Sequence, residues 1–162
     1  MKLLVLAIGH RQPAWADAAW GHFAKRFPPE MRLELVALKA EPRQGGKTAA
    51  QCRAAEAARF ESALAAHTRQ GRGPHRIALD ERGARVNSAQ LAERLRAWRE
   101  QGRDAALLIG GPDGLDAALR EHADESLRLS DLTLPHALAR VLLAEALYRA
   151  HTLLEGHPYH RE

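Results

Sequence analysis

The chain has 162 residues, 46% of them apolar and 27% charged, and a formal net charge of +4. This length and composition are typical of one soluble globular domain with its own core. One cysteine excludes an intrachain disulfide framework and a multi-cysteine zinc site. No apolar run approaches the roughly 18 residues of a membrane span, and the short apolar start lacks a cleavage site, so we expect a cytoplasmic protein.

The first half of the chain alternates strand patterns with helix patterns. Residues 2–8 form an almost unbroken apolar run, which is typical of a strand buried on both faces. Pro13 suits the first turn of a helix, and Pro28 ends that helix. Residues 32–38 alternate as a half-buried strand does, and an alanine-rich helix is predicted over about 48–69.

The second half of the chain continues this alternation. Asn87 is predicted to start one of its helices, because Gln90 three residues later completes a capping-box pattern. The elements follow in order as a strand over 76–80, that helix as far as Gly102, a strand over 105–109, a helix over about 116–124, a strand over 126–130 and a helix over 135–154.

Strands that alternate with helices predict an α/β fold with a mainly parallel sheet that is covered on both faces. In such sheets, ligands bind beyond the carboxyl ends of the strands. The loops in which to look for a site are therefore those that follow Ile8, Leu38, Leu79, Ile109 and Ser130.

A glycine-rich turn, residues 110–114 with the sequence GGPDG, follows the fourth predicted strand. Glycines at a strand end allow a ligand to approach the backbone, but they also suit a tight turn into the next helix. The spacing is neither the dinucleotide-binding pattern nor the phosphate-binding loop, which needs a lysine after its last glycine. The local sequence leaves the ligand loop and the tight turn equally open.

The segment 129–136, with the sequence LSDLTLPH, leads into the last predicted helix. Asp131 or Thr133 can cap that helix, or the backbone groups of the loop can recognise the edge of a heterocycle. His136 lies in the first helical turn, where the helix dipole disfavours a positive charge. We therefore expect a neutral imidazole there at pH 7.

Two polar segments are candidates for contacts with an anion or a nucleobase. The basic loop 43–47, with Lys25 and Arg26, is either solvated surface or a phosphate contact. The tail 157–162, with the sequence HPYHRE, has no third ligand beside its histidines, so we predict no metal. Its aromatic, imidazole and guanidinium groups suit stacking on a base, and residues 159–162 are not predicted to belong to the core.

Four motifs occur in a characteristic order along the chain. They are residues 107–115 (LLIGGPDGL), 129–136 (LSDLTLPH), 147–150 (LYRA) and 157–162 (HPYHRE). In this order they resemble the small SPOUT-class ribosomal RNA methyltransferases of the RlmH type, which methylate N3 of a pseudouridine in large-subunit rRNA. Each motif is weak alone, but the ordered set is specific, and the resemblance covers the whole chain.

The resemblance implies one SPOUT domain over residues 1–162. A C-terminal trefoil knot over about 105–155 would bind the cofactor, and the tail 157–162 would belong to the active site. The methyl donor would be S-adenosylmethionine, and the enzyme would be a homodimer with its sites at the subunit interface. The substrate would be a pseudouridine of large-subunit (23S) rRNA, expected on the assembled ribosome, with no membrane and no metal involved.

Carried over onto this sequence, the family pattern places three tail residues in the catalytic site. His160 is the candidate for proton handling, Arg161 for binding carbonyl or phosphate oxygens, and Tyr159 for stacking on the base or donating to it. Asp131 departs from the small residue that is typical of the family. The donor-binding residues that the resemblance implies are Leu79, Gly110, Leu129, Ser130, Asp131, Leu132, Thr133 and Leu134.

Two other classes of protein stay open on the residues alone. One is a noncatalytic RNA-binding factor on a methyltransferase scaffold, which a damaged glycine turn or a lost tail would favour; both segments are intact. The other is a nucleotide-binding oxidoreductase with a Rossmann-like sheet. After its first strand this chain offers only Gly9, where that class carries a glycine-rich fingerprint.

Overall fold

Strands and helices alternate along the chain in the computed structural model, as the sequence predicts. The structure describes residues 1–161. Glu162, the last residue of the predicted tail, lies outside the described residues. The strands are β1 (Lys2–Ile8), β2 (Arg32–Leu38), β3 (His75–Arg85), β4 (Ala105–Ile109) and β5 (Glu125–Arg128). The helices are α1 (Ala14–Ala24), α2 (Ala49–Ala66), α3 (Ser88–Glu100), α4 (Ala117–Glu121) and α5 (His136–Leu154), followed by a 3₁₀ helix (Pro158–Arg161).

The five strands form one parallel sheet in the order β2-β1-β4-β3-β5. Leu6 of β1 lies opposite Val36 of β2 on one side and Leu108 of β4 on the other. Because β1 and β4 are inner strands with both faces covered, their side chains are almost all buried, which explains their apolar runs. The predicted α/β fold with a mainly parallel sheet is confirmed.

Two helical layers cover the sheet. On one face, α1, α3 and α5 pack over a core that includes Trp98 and Leu147. On the other face, α2 and α4 pack over a second core that includes Phe60 and Leu64. All four side chains are at most 1% exposed, and burial of each contributes about 1.5–3 kcal/mol to the hydrophobic free energy of folding.

Strand β3 continues to Arg85, beyond its predicted end at Asp80. Its pairing with β5 becomes irregular after Leu79, and the strand then resumes. Gly83 makes this possible, because it lies directly on the backbone of Leu127, where a Cβ atom would overlap main-chain atoms. The extension depends on that long-range contact, and the polar sequence of the segment carries no strand-like alternation.

Other boundaries differ from the prediction by a few residues. β5 ends at Arg128, so Leu129 and Ser130 belong to the loop before α5 rather than to the strand. Helix α4 is shorter than predicted at both ends. The predicted capping box of α3 is confirmed, because Asn87 Oδ1 accepts a hydrogen bond from the Gln90 backbone N–H at 2.8 Å.

A charged network joins the amino ends of β3, β4 and β5, and we call it the amino-end network. The buried ring of His75 lies between Glu125 Oε1 at 2.6 Å and Arg103 Nη2 at 2.9 Å. Glu125 also accepts hydrogen bonds from Trp98 Nε1 at 2.6 Å and from Arg94. Burial by itself raises the pKa of Glu125, but these hydrogen bonds outweigh it and hold the pKa below its usual value.

Candidate active site

A cavity of about 470 Å³ opens at the carboxyl ends of β3 and β4, beside the loop that precedes α5. Its volume lies within the roughly 300–1,000 Å³ typical of small-molecule sites. The structure brings Leu79 and the segment 129–134 together on its wall, which are seven of the residues predicted to bind the donor. We call it the carboxyl-end cavity; its other lining residues are Asp80, Glu81, Arg82, Ile109, Arg128 and Ala139.

The carboxyl-end cavity combines apolar walls with charged groups. Leu79 and Ile109 supply apolar surface at two neighbouring strand ends. The carboxylate of Asp80 is 12% exposed, and the guanidinium nitrogens nearest to it, on Arg82 and Arg120, lie 3.8 Å away. That distance is too long for a hydrogen bond. Such a site suits a flat heterocycle that carries, or lies next to, a positively charged group.

Helix α5 begins without a side-chain cap. Pro135 occupies the N-cap position, and no side chain accepts a hydrogen bond from the first turn. Of the two alternatives left open for this segment, capping of the helix by Asp131 or Thr133 is therefore wrong. Instead, Ser130 Oγ accepts from the Leu132 N–H at 2.9 Å, which shapes the loop as a local side-chain turn.

Two arginines hold Asp131 at the mouth of the carboxyl-end cavity. Its carboxylate lies 3.1 Å from Arg85 Nε and 3.3 Å from Arg128 Nη1. The carboxylate is 61% exposed, and ion pairs this exposed are weak. It is thus free to change partners when a cationic ligand enters. Leu132 next to it is 76% exposed, so this loop also presents apolar surface to the outside.

Gly110 lies in the glycine turn and not among the residues that line the cavity. A Cβ atom at this position would stand 2.5 Å from the carbonyl carbon of Gly114 and 2.8 Å from the nitrogen of Leu115. The turn itself therefore requires glycine, whatever ligand binds beside it. The Gly110 backbone also lies next to His136 and raises its pKa slightly against the lowering effects of burial and Arg140, so the turn adjoins the start of α5.

A buried arginine lies behind the site. Arg140 is 3% exposed, and its guanidinium donates to the carbonyl oxygens of Ile8 and Gly9. Its Nε also donates to His136 Nε2 at 2.9 Å. Burial first, and then the nearby Arg140 charge, lower the pKa of His136, so the imidazole is neutral at pH 7. Neutrality was expected from the helix dipole, but desolvation is the larger cause.

Arg140 is not among the functional residues predicted from the sequence. A usable signal was present, because Arg140 stands four residues after His136 in the mostly apolar first half of the helix. Residues at this spacing are neighbours on a helix surface. An arginine in the inner stripe of a helix needs carbonyl or carboxylate partners, and the carboxyl end of a neighbouring strand supplies carbonyls.

The tail is ordered, and it packs on α5 as a 3₁₀ helix. The Tyr159 ring lies edge-on to Tyr148, with centroids 4.8 Å apart, and the guanidinium groups of Arg26 and Arg149 lie 5.0 Å from it. Its hydroxyl donates to Glu145 Oε1 at 3.1 Å. Tyr159 is thus half-buried and packs against the core without being one of its buried residues, a contact that was not predicted from the sequence.

The catalytic candidates lie away from the carboxyl-end cavity of the same chain. His160 is half-buried, and its Nδ1 has no hydrogen-bond partner among residues 1–161; Arg161 is exposed. Neither lines the cavity. Helix α5 is about 28 Å long at 1.5 Å per residue, and the cavity touches its first turn at Ala139 while the tail packs beside its second half. Within one chain, the structure does not bring the predicted catalytic and donor residues together.

The basic loop 43–47 is tied to acidic partners. Arg43 pairs with Asp113 of the glycine turn, and Lys47 pairs with Glu41. Hydrogen bonds from Lys47 and Arg59 lower the pKa of Glu41. These pairs favour the interpretation of the loop as a structural surface segment, since its cations already have counter-charges.

A larger cavity of about 800 Å³ opens at the opposite side of the sheet, near the amino ends of the strands. None of the predicted site residues lines it. Its arginines face acidic partners: Arg99 lies 3.1 Å from Glu155, and Arg69 lies 3.9 Å from Asp104. Size alone does not make it the active site, because ligands of parallel α/β sheets bind at the carboxyl ends of the strands.

The described residues offer neither a metal-binding cluster nor a membrane-spanning helix. Within residues 1–161, no three His, Cys, Asp or Glu side chains are grouped closely enough to hold a metal ion. None of the helices in this part of the chain has the length and apolar character that a membrane-spanning helix needs.

Comparison with known proteins identifies first the class and then the family. Residues 1–160 match the family model described as predicted SPOUT methyltransferase. Proteins named ribosomal RNA large subunit methyltransferase H are 62% identical in Leptothrix cholodnii and 60% identical in Methylibium petroleiphilum, each over 162 residues and the full length of both chains. The protein of that name in Bordetella pertussis is 54% identical over 99% of each chain. The chain therefore belongs to the ribosomal RNA large subunit methyltransferase H family of SPOUT methyltransferases.

A solved structure agrees with this assignment at the level of the fold. TrmJ from Z. mobilis ZM4 is similar with a TM-score of 0.50, over 94% of this chain and 70% of the other. The two sequences are 18% identical, so the likeness concerns the fold alone. The resemblance that was stated from the four motifs is confirmed, and the chain is a methyltransferase.

Proposed function

We propose that the protein transfers a methyl group from S-adenosylmethionine to N3 of a pseudouridine in large-subunit (23S) rRNA, on the assembled ribosome in the cytoplasm. The observation that carries this proposal is the carboxyl-end cavity, where Leu79 and the segment 129–134 meet at the end of a parallel sheet. The names of the similar proteins specify large-subunit rRNA as the methylated molecule.

The cavity fits the proposed donor in size and in chemistry. Its volume of about 470 Å³ is that of a site for a molecule of nucleoside size. Leucine side chains and loop backbone groups suit an adenine ring, which needs apolar walls and edge hydrogen bonds. Asp80 and Asp131 supply negative charge for a cationic donor, and neither carboxylate is committed to a strong ion pair. When bound, S-adenosylmethionine supplies an electrophilic methyl group on a sulfonium.

The tail supplies the groups that act on the base. N3 of pseudouridine carries a weakly acidic proton between two carbonyl groups, and that proton has to leave. His160 is the proposed acceptor, because an imidazole is a common general base and this residue is only half-buried. Arg161 is exposed and is proposed to bind a carbonyl or phosphate oxygen.

Tyr159 is proposed to orient the tail by its ring rather than to exchange a proton. Burial first, and then the neighbouring charge of Glu145, raise the pKa of its phenol, so the hydroxyl stays protonated at pH 7. That hydroxyl already donates to Glu145. Both the hydroxyl and the ring are therefore engaged within the chain, which supports an orienting role better than stacking on the base or donation to it.

A homodimer explains how the separate parts form one active site. The tail of one chain does not line that chain's own cavity, so the proposed site takes its tail from the partner. Apolar surface is available for such an interface, since Leu132 is 76% and Leu142 37% exposed. A two-fold contact buries the same patch on both subunits.

The segment 105–155 is proposed to form a trefoil knot. β5 lies at one edge of the sheet, yet the start of α5 returns to β1, where Arg140 meets Ile8 and Gly9. The connecting loop therefore crosses the carboxyl ends of β3 and β4. A crossing of this kind is what a knotted C-terminal segment requires.

Mass spectrometry of rRNA nucleosides tests the reaction. In a strain that lacks this protein, we expect one methylated pseudouridine to disappear from large-subunit rRNA, and complementation with the wild-type chain to restore it. An unchanged nucleoside profile would contradict the proposed function. Calorimetry separates the alternatives: tight binding of a nicotinamide cofactor, with no response to S-adenosylmethionine or its demethylated product, would favour the oxidoreductase.

Mixed dimers test the shared site. One subunit would carry Ala139→Phe, which fills the carboxyl-end cavity from α5 and leaves the glycine turn untouched. The other would end at Tyr159. Each variant alone should be inactive, and mixing should restore part of the activity because one of the two sites then has an open cavity and an intact tail. No recovery, with heterodimers demonstrated by mass, would overturn the shared site.

A further inference from the structure

We infer that Glu145 is a positioning residue, which fixes the tail to α5 of its own chain through the hydroxyl of Tyr159. This inference rests on the proposed function, in which His160 and Arg161 of that tail reach the partner's cavity. The tail would then be presented as a rigid extension of its own subunit.

One carboxylate oxygen receives all the donors at this point. Glu145 Oε1 accepts from the Tyr159 hydroxyl at 3.1 Å, from Arg149 Nε at 2.9 Å and from Arg149 Nη2 at 2.6 Å. The guanidinium fixes the carboxylate from the same helix, and the carboxylate in turn fixes the phenol. The two side chains of the helix are each 26% exposed, so water competes only partly with these bonds.

The ring of Tyr159 is held in place independently of its hydroxyl. Arg26 lies 4.4 Å from the Tyr148 ring centroid and 5.0 Å from that of Tyr159, so one cation contacts both rings of the aromatic pair. Arg149 lies 5.0 Å from Tyr159 as well. The ring contacts set where the tail lies, and the hydrogen bond to Glu145 sets how the ring is turned.

An ion pair within one helix would not by itself account for the contacts of Glu145. Glu145 and Arg149 stand four residues apart, and such pairs commonly stabilise a helix slightly without any further role. Here the carboxylate reaches a residue 14 positions further along the chain. That residue immediately precedes both catalytic candidates, and a displacement of about 1 Å in a catalytic group can cost about 100-fold in rate.

The test is a set of variants assayed for single-turnover methylation of ribosomes. Glu145→Ala and Tyr159→Phe should each lower the maximal rate by about tenfold, whereas donor affinity should stay within twofold. Glu145→Gln keeps an acceptor oxygen and should recover part of the rate. In the Tyr159→Phe background, Glu145→Ala and Glu145→Gln should have no further effect, because the hydroxyl they act through is gone. Glu155→Ala, which breaks the exposed pair with Arg99, is the matched control and should leave the rate unchanged.

Hydrogen–deuterium exchange of the C-terminal peptide gives a readout that does not depend on activity. Exchange in residues 158–161 should accelerate in Glu145→Ala and Tyr159→Phe but not in Glu155→Ala. A full rate for Tyr159→Phe, or equal losses from Glu145→Ala with and without the hydroxyl, would overturn the inference. If wild-type chain fails to methylate, the proposed function fails, and unchanged exchange in the variants would separately remove the positioning role.

Discussion

The amino ends and the carboxyl ends of the parallel strands differ in how their polar groups are bonded. At the amino ends, the buried His75 is bonded on both sides, and Glu125 accepts hydrogen bonds from three side chains. At the carboxyl ends, the loop before α5 has no side-chain cap and exposes Asp131 and Leu132. Polar groups that have satisfied each other hold a fold together, whereas polar groups left with weak partners are available to a ligand. We therefore expect the amino ends of the strands to contribute mainly stability and the carboxyl ends to form the proposed binding site.

The tail should give the largest effect on activity with little effect on stability. Removing residues 160–162 should lower methylation by about 100-fold or more, because it takes away the proposed proton acceptor and the guanidinium. Differential scanning calorimetry should show nearly the wild-type Tm. Removing Tyr159 as well should lower the Tm by a few degrees, since its ring packs on Tyr148. Full activity of either truncation on ribosomes would remove the tail from the active site.

Glu125→Gln, at the amino ends of the strands, should lower stability and leave donor binding almost unchanged. We expect it to lower the free energy of unfolding by about 2 kcal/mol, because a partly buried acceptor of several hydrogen bonds loses its charge. Donor affinity of the folded protein should stay within twofold. Chemical denaturation measures the free energy of unfolding, and calorimetry measures the donor affinity. A large loss of donor affinity would contradict the separation of stability at the amino ends from binding at the carboxyl ends.

The lowered pKa of Glu125 should also make the stability of the protein depend on pH. The pKa of Glu125 is lowered in the folded state, so its stabilisation is present above the pKa of the unfolded chain. It is lost as the pH falls through the lower, folded value. Denaturation at pH 7 and at pH 4 or below should show a smaller acid-induced loss in Glu125→Gln than in wild type. Parallel pH curves would contradict this role.

Gly110→Ala should weaken donor binding by about tenfold and also reduce stability, because the new Cβ forces the turn away from Gly114. Gly21→Ala in α1 is the control. Its Cβ meets open space, and replacing a helix-interior glycine should stabilise the fold by about 0.5–1 kcal/mol. Calorimetric titration with the donor measures the first effect. Wild-type affinity in Gly110→Ala would show that the turn tolerates a side chain after all.

The basic loop should give the smallest effect. Replacing Arg43 and Lys47 by Ala removes cations that already face Asp113 and Glu41, so we expect less than a twofold change in the rate on ribosomes. The dependence of that rate on salt should be unchanged. If each cation instead contacts a phosphate, the log–log slope with salt should fall by about 0.9 per contact. That outcome would extend the binding function beyond the carboxyl-end cavity.

Local patterns were sufficient for most of the architecture. The apolar runs of β1 and β4 and the capping residue Asn87 act within a few positions, so the alternation and the sheet class could be read from them. Leu79 and the segment 129–134 were implied by the family resemblance, and ligands of such sheets bind at the carboxyl ends of the strands, where both lie.

The features that escaped prediction depend on contacts between distant residues. β3 extends because Gly83 meets Leu127, and no pattern within residues 80–85 encodes that contact. The order of the tail depends on Tyr148 and Arg26, which neighbour it only in the folded chain. Asp131 resembled a helix cap in sequence, but Arg85 and Arg128 bind it instead.

The bonds of Arg140 also bear on the order in which the chain folds. They join α5 to Ile8 and Gly9 across separations of 132 and 131 positions. Contacts between such distant residues close late, because the entropy of a long loop has to be lost before they form. During synthesis, the end of β1 is among the first segments to emerge, whereas α5, which supplies Arg140, is among the last. The carboxyl-end cavity, which is the proposed donor site, is therefore completed only after most of the chain has left the ribosome.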